Sequence, residues 1–572
     1  MRLMGPSDRT FTLVRAAAAI LMVLALGGLG PGWLPIVAIL LVVLVHPDIV
    51  GRAVNAYAAH GLDLGVRSSL RRRWFEVSLA AIAVAGLAVQ MKGVLLGVGH
   101  EWLGVDEERL ANSVLGFLRT GALEHSTSED HPGLHFWLLV ISGLGAYLWA
   151  LMTGLIRTIE DVRPWLFVGS GRVMNVVLAA GTTILTGLIG RTVVGRAAGL
   201  LAAGLFAFSP LSIETATVLR NDVGMVFFVI ASSYAALLAC ERPTRSLAVI
   251  SGALAGCAAG TKITAVFALV PALVAAAIPN TGRERRQSLA IVPASFLGAL
   301  AITNHFIWSD VPTFLGQVTM DYGHVQKGHF AYTDAPRLAY ASLLSSYGLG
   351  WPVMVCAAGF LVWSLAAGKR LIWVFLAFPV AYLWFMTLKS AMFPRWLYVL
   401  VPFIAVAGAG GLLELCRCAA RLPGLFLRGP RAAIVGSIVG VAICLAGLYP
   451  IAWPGAIQIG RRFTAPTYAL AEAWIKANVP KGDHVLAESG VLDLAYPGLQ
   501  VVRVDDLRGT LGRNAPELRT CKWIVVPEYQ FDIPGLADLF LVKEFVANPG
   551  LGGNRGMDVR VYVPQTLGRP PQ

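Results

Sequence analysis

Apolar runs long enough to cross a lipid bilayer follow one another along this chain, and that repetition constrains its fold more than any motif does. They occupy residues 11–28, 33–46, 75–98, 133–156, 168–190, 197–213, 223–239, 246–278, 288–307, 339–366, 371–388, 396–415 and 432–450. A run of about 20 apolar residues matches the hydrocarbon core in length. Within that core every backbone group must bond inside its own segment, so such a chain folds as a helical bundle. Charge is sparse, at 14% of 572 residues against 56% hydrophobic. The net charge of +13 is not a nucleic-acid footprint, because the arginines sit in short loops between apolar runs, as cytoplasmic loops do. Of seven cysteines, only Cys521 falls in a clearly polar region; Cys240, Cys257, Cys356, Cys416, Cys418 and Cys444 lie in or beside apolar segments. That scatter argues against a disulfide framework or a zinc cluster. The N-terminus has a basic start and an apolar run but no small-residue cleavage site, so it reads as a retained helix.

The arginines also orient the runs. Runs 11–28 and 33–46 form a hairpin turning at Gly30, Pro31 and Gly32. The segment after it carries Arg52, Arg67, Arg71, Arg72 and Arg73 and is read as cytoplasmic. Run 75–98 then leads outward. The loop between 168–190 and 197–213 carries Arg191 and Arg196 and no acid, so it too should be cytoplasmic. Both placements hold only if run 133–156 does not cross. It would then lie along the outer interface or re-enter, making 99–167 one outer loop. Run 246–278 is too long for one crossing and is read as broken near Gly260, Thr261 and Lys262, with Lys262 outside.

These choices give a polytopic α-helical membrane protein with about 13 crossings, the N-terminus in the cytoplasm and the C-terminus outside. Residues 1–74 are the membrane hairpin and cytoplasmic segment, 75–453 the main transmembrane domain, and 454–572 a soluble exterior domain. In that last part an amphipathic helix is expected over 467–478. HVLAE, LQVVRV, CKWIVVPE and DVRVYVP read as short strands between loops rich in Gly, Pro and Asp, which makes a small α/β domain.

The stretch GVDEERLANSVLGFLRTG, Gly104 to Gly121, follows the first outward run. Leu110, Val114, Phe117 and Leu118 form an apolar stripe at helical spacing, and Gly121 is placed to end the helix. An amphipathic helix lying on a membrane surface is expected, with Asp106 and Glu107 at its upstream end and Arg109 on the face of Asp106. The bland alternative is that Asp106 caps the helix. Charged residues at the outer ends of other runs fall on the same side: His131, Asp222, Lys262 and Arg395 join Asp106, Glu107 and Arg109. A solvated rim would also place charges there, but charge near a bilayer is costly and usually pairs or serves a site.

In order, spacing and side of the membrane, this set resembles the GT-C membrane glycosyltransferases, in particular the branch of protein O-mannosyltransferases and lipid A aminoarabinose transferases. The resemblance covers about residues 75–415. It is densest in DEERLANSVLGFLRTG with HPGLHFWLL, and from GRAAGLLAAGLFAFSPLSIETATVLRND to SGALAGCAAGTKITA. It implies an inverting transfer of a sugar from a polyprenyl-phosphate donor to a protein, lipid or polysaccharide on the non-cytoplasmic face of the inner (plasma) membrane. It implies Asp106 as the base that deprotonates the acceptor, Glu107 as its support, and Asp222 as an orienting acid. Arg109, Lys262 and Arg395 would hold the donor phosphate, and His131 stands where some relatives carry Lys before Pro. A lipid phosphate is already a good leaving group, so cations on the phosphate and one base suffice. No cofactor is expected, and no metal ligand set is assigned, although some relatives use a divalent ion. A membrane transporter is a rival reading, favoured by broken helices and charges near the membrane. A lipid-linked glycan ligase and a non-catalytic scaffold are two more. The loop 308–338, rich in His, Tyr and Asp, is read as a lid, an acceptor contact or an ordinary connector.

Overall fold

The computed structural model describes residues 64–95, 105–121, 133–278, 282–304, 336–388 and 394–421. Beyond these it describes 467–488, 500–504, 521–527, 539–546 and 559–564, with isolated positions between. The first part is a helical bundle. Its helices are α1 (Leu64–Leu95), α2 (Val105–Thr120), α3 (Leu134–Met152), α4 (Pro164–Val193), α5 (Arg196–Ala207), α6 (Pro210–Ala216) and α7 (Asn221–Glu241). They continue as α8 (Arg245–Thr261), α9 (Leu269–Ala277), α10 (Gly282–Thr303), α11 (Pro336–Leu343), α12 (Trp351–Ala366), α13 (Arg370–Met386) and α14 (Val401–Arg421).

Among the described residues six helices, or up to eight if each bent pair counts as one span, are long and apolar enough to cross a membrane. The expectation of about 13 crossings is therefore met only in part. The hairpin runs 11–28 and 33–46 lie outside the described residues, as does most of 432–450 and of the loop 308–338. Run 246–278 is broken where the sequence reading broke it: α8 ends at Thr261, Lys262 is extended, and a 3-10 turn (Ile263–Ala268) leads into α9. Run 197–213 is not one rod, because α5 and α6 meet at 57°. Ser209 caps α6 by accepting from the Ser212 N–H at 3.0 Å, and Pro210 opens it, the residue types that start a helix afresh.

The connections divide the bundle into two ends. Arg191, Arg196, Arg242, Arg245, Arg283, Arg285, Arg286 and Arg370 lie at or beside the turns joining α4 to α5, α7 to α8, α9 to α10 and α12 to α13. Asp222, Lys262, Asn304 and Arg395 lie at the other end. Small residues let the helices approach closely. A Cβ at Gly190 would come 2.8 Å from Gly199 Cα, so the α4–α5 hairpin closes only because both positions lack a side chain.

α3 is itself long and apolar enough to cross, yet its packing points elsewhere. Leu139 meets the Gly171 position and Phe167 the Gly143 position, so α3 runs antiparallel to the first turns of α4. From Arg172 to Val193, α4 already spans about 32 Å at 1.5 Å per residue, the thickness of the hydrocarbon core. α3 thus packs on the part of α4 that overhangs the site end. Its outer side shows Ile141, Leu144, Leu148, Trp149 and Met152, the exposed apolar face that an interfacial helix needs.

The C-terminal part carries α15 (Thr467–Asn478) and five strands: β1 (His484–Glu488), β2 (Gln500–Val504), β3 (Trp523–Pro527), β4 (Leu539–Phe545) and β5 (Val559–Pro564). Their order is β2-β1-β3-β5-β4. β1 is parallel to β2 and β3, while β5 runs antiparallel to β3 and β4. Strand alternation feeds two cores. Val485, Val525 and Val561 meet Ala471, Ile475 and Val479 at α15, and Leu486, Ile524, Val526 and Tyr562 pack on the opposite face. The sequence reading found the α/β character and four of the strands. It missed β4, an edge strand whose LFLVKEF breaks apolar alternation with Lys543 and Glu544.

Candidate active site

The site end is held together by a buried ion pair between distant segments. Glu107, in the first turn of α2, and Arg172, near the start of α4, both have side chains with 0% exposure. Arg172 Nε and Nη2 donate to the two carboxylate oxygens at 2.8 and 2.7 Å, a fork that only arginine can present. The backbone N–H of Leu219 donates to Glu107 Oε1 at 2.6 Å. One helical turn along α4, Asn175 Nδ2 donates to the carbonyls of Val218 and Arg220 at 2.8 and 3.0 Å. Leu219 itself fits into the notch at Gly171, where a Cβ would come 2.6 Å from its methyl. The short segment 217–220 is therefore tied from both sides just before it delivers Asp222.

Asp222 stands in the first turn of α7 and is 2% exposed. Lys262 Nζ, at the break after α8, donates to its Oδ1 at 2.8 Å. Arg395 and Arg220 also act on this carboxylate electrostatically. Beside the pair is His135, at the start of α3, 4% exposed and in electrostatic contact with both Asp222 and Lys262. Five segments distant in sequence thus converge: α2, α3, α4, the α6–α7 link and the α8 break, with Arg395 joining from the 3-10 turn Pro394–Leu400.

Most of the residues singled out from the sequence are found here. α2 begins at Val105, so Asp106 lies inside its first turn rather than before it, which disfavours a plain capping role; its side chain lies outside the described residues. The apolar stripe of α2 is helical as read, but it packs on α3 and α4 and not on a membrane surface: Val114 is buried and Leu110, Phe117 and Leu118 lie against the same cluster. Gly121 ends the helix with φ 69°, its N–H donating to Phe117 O. Arg109 is half-buried on α2, one turn after Asp106. Glu107 is sealed inside the bundle. With no exposure and its oxygens bonded by Arg172 and the Leu219 N–H, it ties α2 to α4, a positioning place that agrees with the supporting role and not with direct chemistry. His131 lies outside the described residues.

Arg172, Asn175, His135 and Asn304 were not found by sequence reasoning. Arg172 had a signal, since a charge inside an apolar run is costly unless paired. Among the described residues, no three of His, Cys, Asp and Glu gather as a metal-binding group.

The architecture is similar to that of the oligosaccharyltransferase AglB from Archaeoglobus fulgidus, determined in complex with an inhibitory peptide and a dolichol-phosphate. The TM-score is 0.50 and the identity 12%, covering 88% of this chain and 75% of that one. ArnT from Cupriavidus metallidurans, bound to undecaprenyl phosphate, gives a TM-score of 0.49 at 14% identity, covering 87% and 100%. No curated protein matches the chain by sequence. The fold is that of a multi-pass helical bundle similar to these membrane proteins. Residues 168–308, which carry Arg172, Asp222, Lys262 and Asn304, match the family described as dolichyl-phosphate-mannose-protein mannosyltransferase.

Proposed function

We propose that this protein moves a sugar from a polyprenyl-phosphate donor to an acceptor hydroxyl or amine at the site end of the bundle, facing the non-cytoplasmic compartment. The observation that carries the reading is the imbalance around Asp222: one carboxylate, with Lys262 bonded to it and Arg395 and Arg220 in its field. Cations in excess of acids at the edge of an apolar bundle suit a lipid phosphate. The dolichol-phosphate bound to AglB and the family description support the same donor class. The arginine-rich turns at the opposite end support the sidedness, because such loops stay in the cytoplasm. The same sidedness puts the N-terminus in the cytoplasm and the C-terminal domain outside the plasma membrane.

In this reading Lys262, Arg109 and Arg395, with His131, hold the donor phosphate and neutralise the charge that grows on it as the bond breaks. Asp106 accepts the proton of the acceptor. The freed oxygen or nitrogen attacks the anomeric carbon, and the bonding electrons leave with the polyprenyl phosphate, inverting the centre. The Glu107–Arg172 pair fixes the helix that carries Asp106 against the segment that carries Asp222.

The test is to incubate the purified full-length protein with polyprenyl-phosphate mannose, glucose, galactose and arabinose and follow loss of the lipid-linked sugar. Asp106→Asn should lower turnover by about 10²–10⁴-fold while leaving donor binding intact. Failure of the unaltered protein to consume any of these donors would overturn the reading. Consumption of a pyrophosphate-linked glycan alone would favour whole-glycan transfer instead.

A further inference from the structure

α3 starts in an unusual place. Its N-cap, Gly133, carries no side chain to bond the first N–H groups, and it is pressed against the ends of α8 and α10. A Cβ there would come 2.1 Å from Gly260 O and 3.8 Å from Asn304 Nδ2. Two residues in, His135 lies between α7 and the Lys262 break, and a Cβ at Gly224 would sit 3.6 Å from its Nδ1. His135 is 4% exposed and Asn304 6%. Neither ring nitrogen of His135, nor Asn304 Oδ1, has a hydrogen-bond partner among the described residues. Buried polar atoms are almost always bonded, since leaving them bare costs stability. Three such atoms beside one uncapped helix start and next to Lys262 mark a place built for a polar ligand.

The atom types name the ligand. Neutral imidazole offers one donor and one acceptor, the asparagine oxygen is an acceptor, and the first N–H groups of α3 are donors. A phosphate oxygen can only accept, so it would leave the acceptors facing one another. Sugar hydroxyls both donate and accept. We propose that His135 and Asn304, with the start of α3, form the subsite that reads hydroxyl groups of the donor's sugar ring. This rests on the donor class proposed above, in which Lys262 holds the phosphate that carries that sugar.

The experiment measures dissociation constants in lipid nanodiscs for polyprenyl-phosphate mannose, glucose, galactose and arabinose, and for bare polyprenyl phosphate. His135→Ala and Asn304→Leu should each weaken the preferred lipid-linked sugar by about tenfold or more. They should leave bare polyprenyl phosphate within about twofold and flatten the preference among the four sugars. His135→Gln, which keeps a donor and an acceptor, should recover part of the loss. Deoxy donors offered to the unaltered protein give a readout independent of folding: loss of one hydroxyl should cost about tenfold, and that cost should vanish in His135→Ala. Equal weakening of sugar-bearing and bare lipid, or unchanged sugar preference, overturns the subsite while the glycosyltransfer reading stands. If the unaltered protein binds and consumes none of the four sugars, both fall together.

Discussion

Arg172→Met puts the joint of the site to a direct test. The substitution keeps an unbranched chain of similar reach but removes the charge and two bonds of 2.8 and 2.7 Å. What remains is the Glu107 carboxylate with no exposure to water, still accepting from the backbone N–H of Leu219 but stripped of its countercharge. Two opposite charges about 4 Å apart attract by roughly 4 kcal/mol at an effective dielectric of 20. Breaking a buried pair from one side costs about 3–5 kcal/mol, because the remaining ion is left uncompensated. Thermal and chemical unfolding in detergent should show that loss. Glu107→Gln/Arg172→Met removes the stranded charge, and its stability should return to within about 1–2 kcal/mol of the unaltered protein, far short of the sum of the two single losses. Turnover should not return with it, since the fork between α2 and α4 is gone and Asp106 loses its anchor. Arg172→Lys should behave more like the methionine variant than like arginine, because an ammonium cannot bond both carboxylate oxygens in parallel. Additive losses in the double variant, or full activity in Arg172→Met, would refute the positioning role.

Other consequences follow from the same geometry. Asp222→Asn should weaken donor binding less than Lys262→Met does, since it removes an acid from a cluster of cations; ranking the two by polyprenyl-phosphate affinity checks it. Gly199→Val should destabilise the bundle by about 1–3 kcal/mol or more through overpacking, because a Cβ there already comes 2.4 Å from Gly187 O; detergent unfolding reads it. In the C-terminal domain, burial raises the Asp483 carboxyl, but hydrogen bonds from Lys522 and the Trp523 indole more than offset this and hold it below its usual value. Its stabilising effect is present above the unfolded value, about pH 3.9, and is lost as pH falls through the lower folded value. Limited proteolysis of the full chain across that window should show β3 opening on acidification, and Asp483→Asn should abolish the step.

What the sequence disclosed about the fold follows from how locally each feature is encoded. The α2 stripe repeats every three or four residues and ends in Gly121, so both face and stop could be read within one short stretch. The break at Lys262 was readable because a run of that length cannot cross once. The bend at Ser209–Pro210 carried cap and proline signals but was hidden inside an apolar stretch whose hydropathy does not change across it. β4 escaped because an edge strand tolerates charges where a central strand would not.

The site was legible to the extent that its members are charged residues at the ends of runs. Asp222, Lys262 and Arg395 announce themselves because a charge beside apolar sequence is costly. His135 and Asn304 do not, since a neutral imidazole and an amide look like ordinary helix-end residues until three dimensions bury them with ring nitrogens and an amide oxygen unbonded among the described residues. Glu107 shows the opposite failure. Its position next to Asp106 suggests shared chemistry, yet adjacent helical residues point about 100° apart, so one of two neighbouring acids can turn inward and be sealed while the next faces elsewhere. Which of the two turns inward depends on the partner across the gap, and Arg172 lies 65 residues away. In this architecture the acids and cations of the site come from several helix ends. The buried Glu107–Arg172 pair ties those ends together, so residues sealed away from solvent should control turnover as strongly as exposed ones.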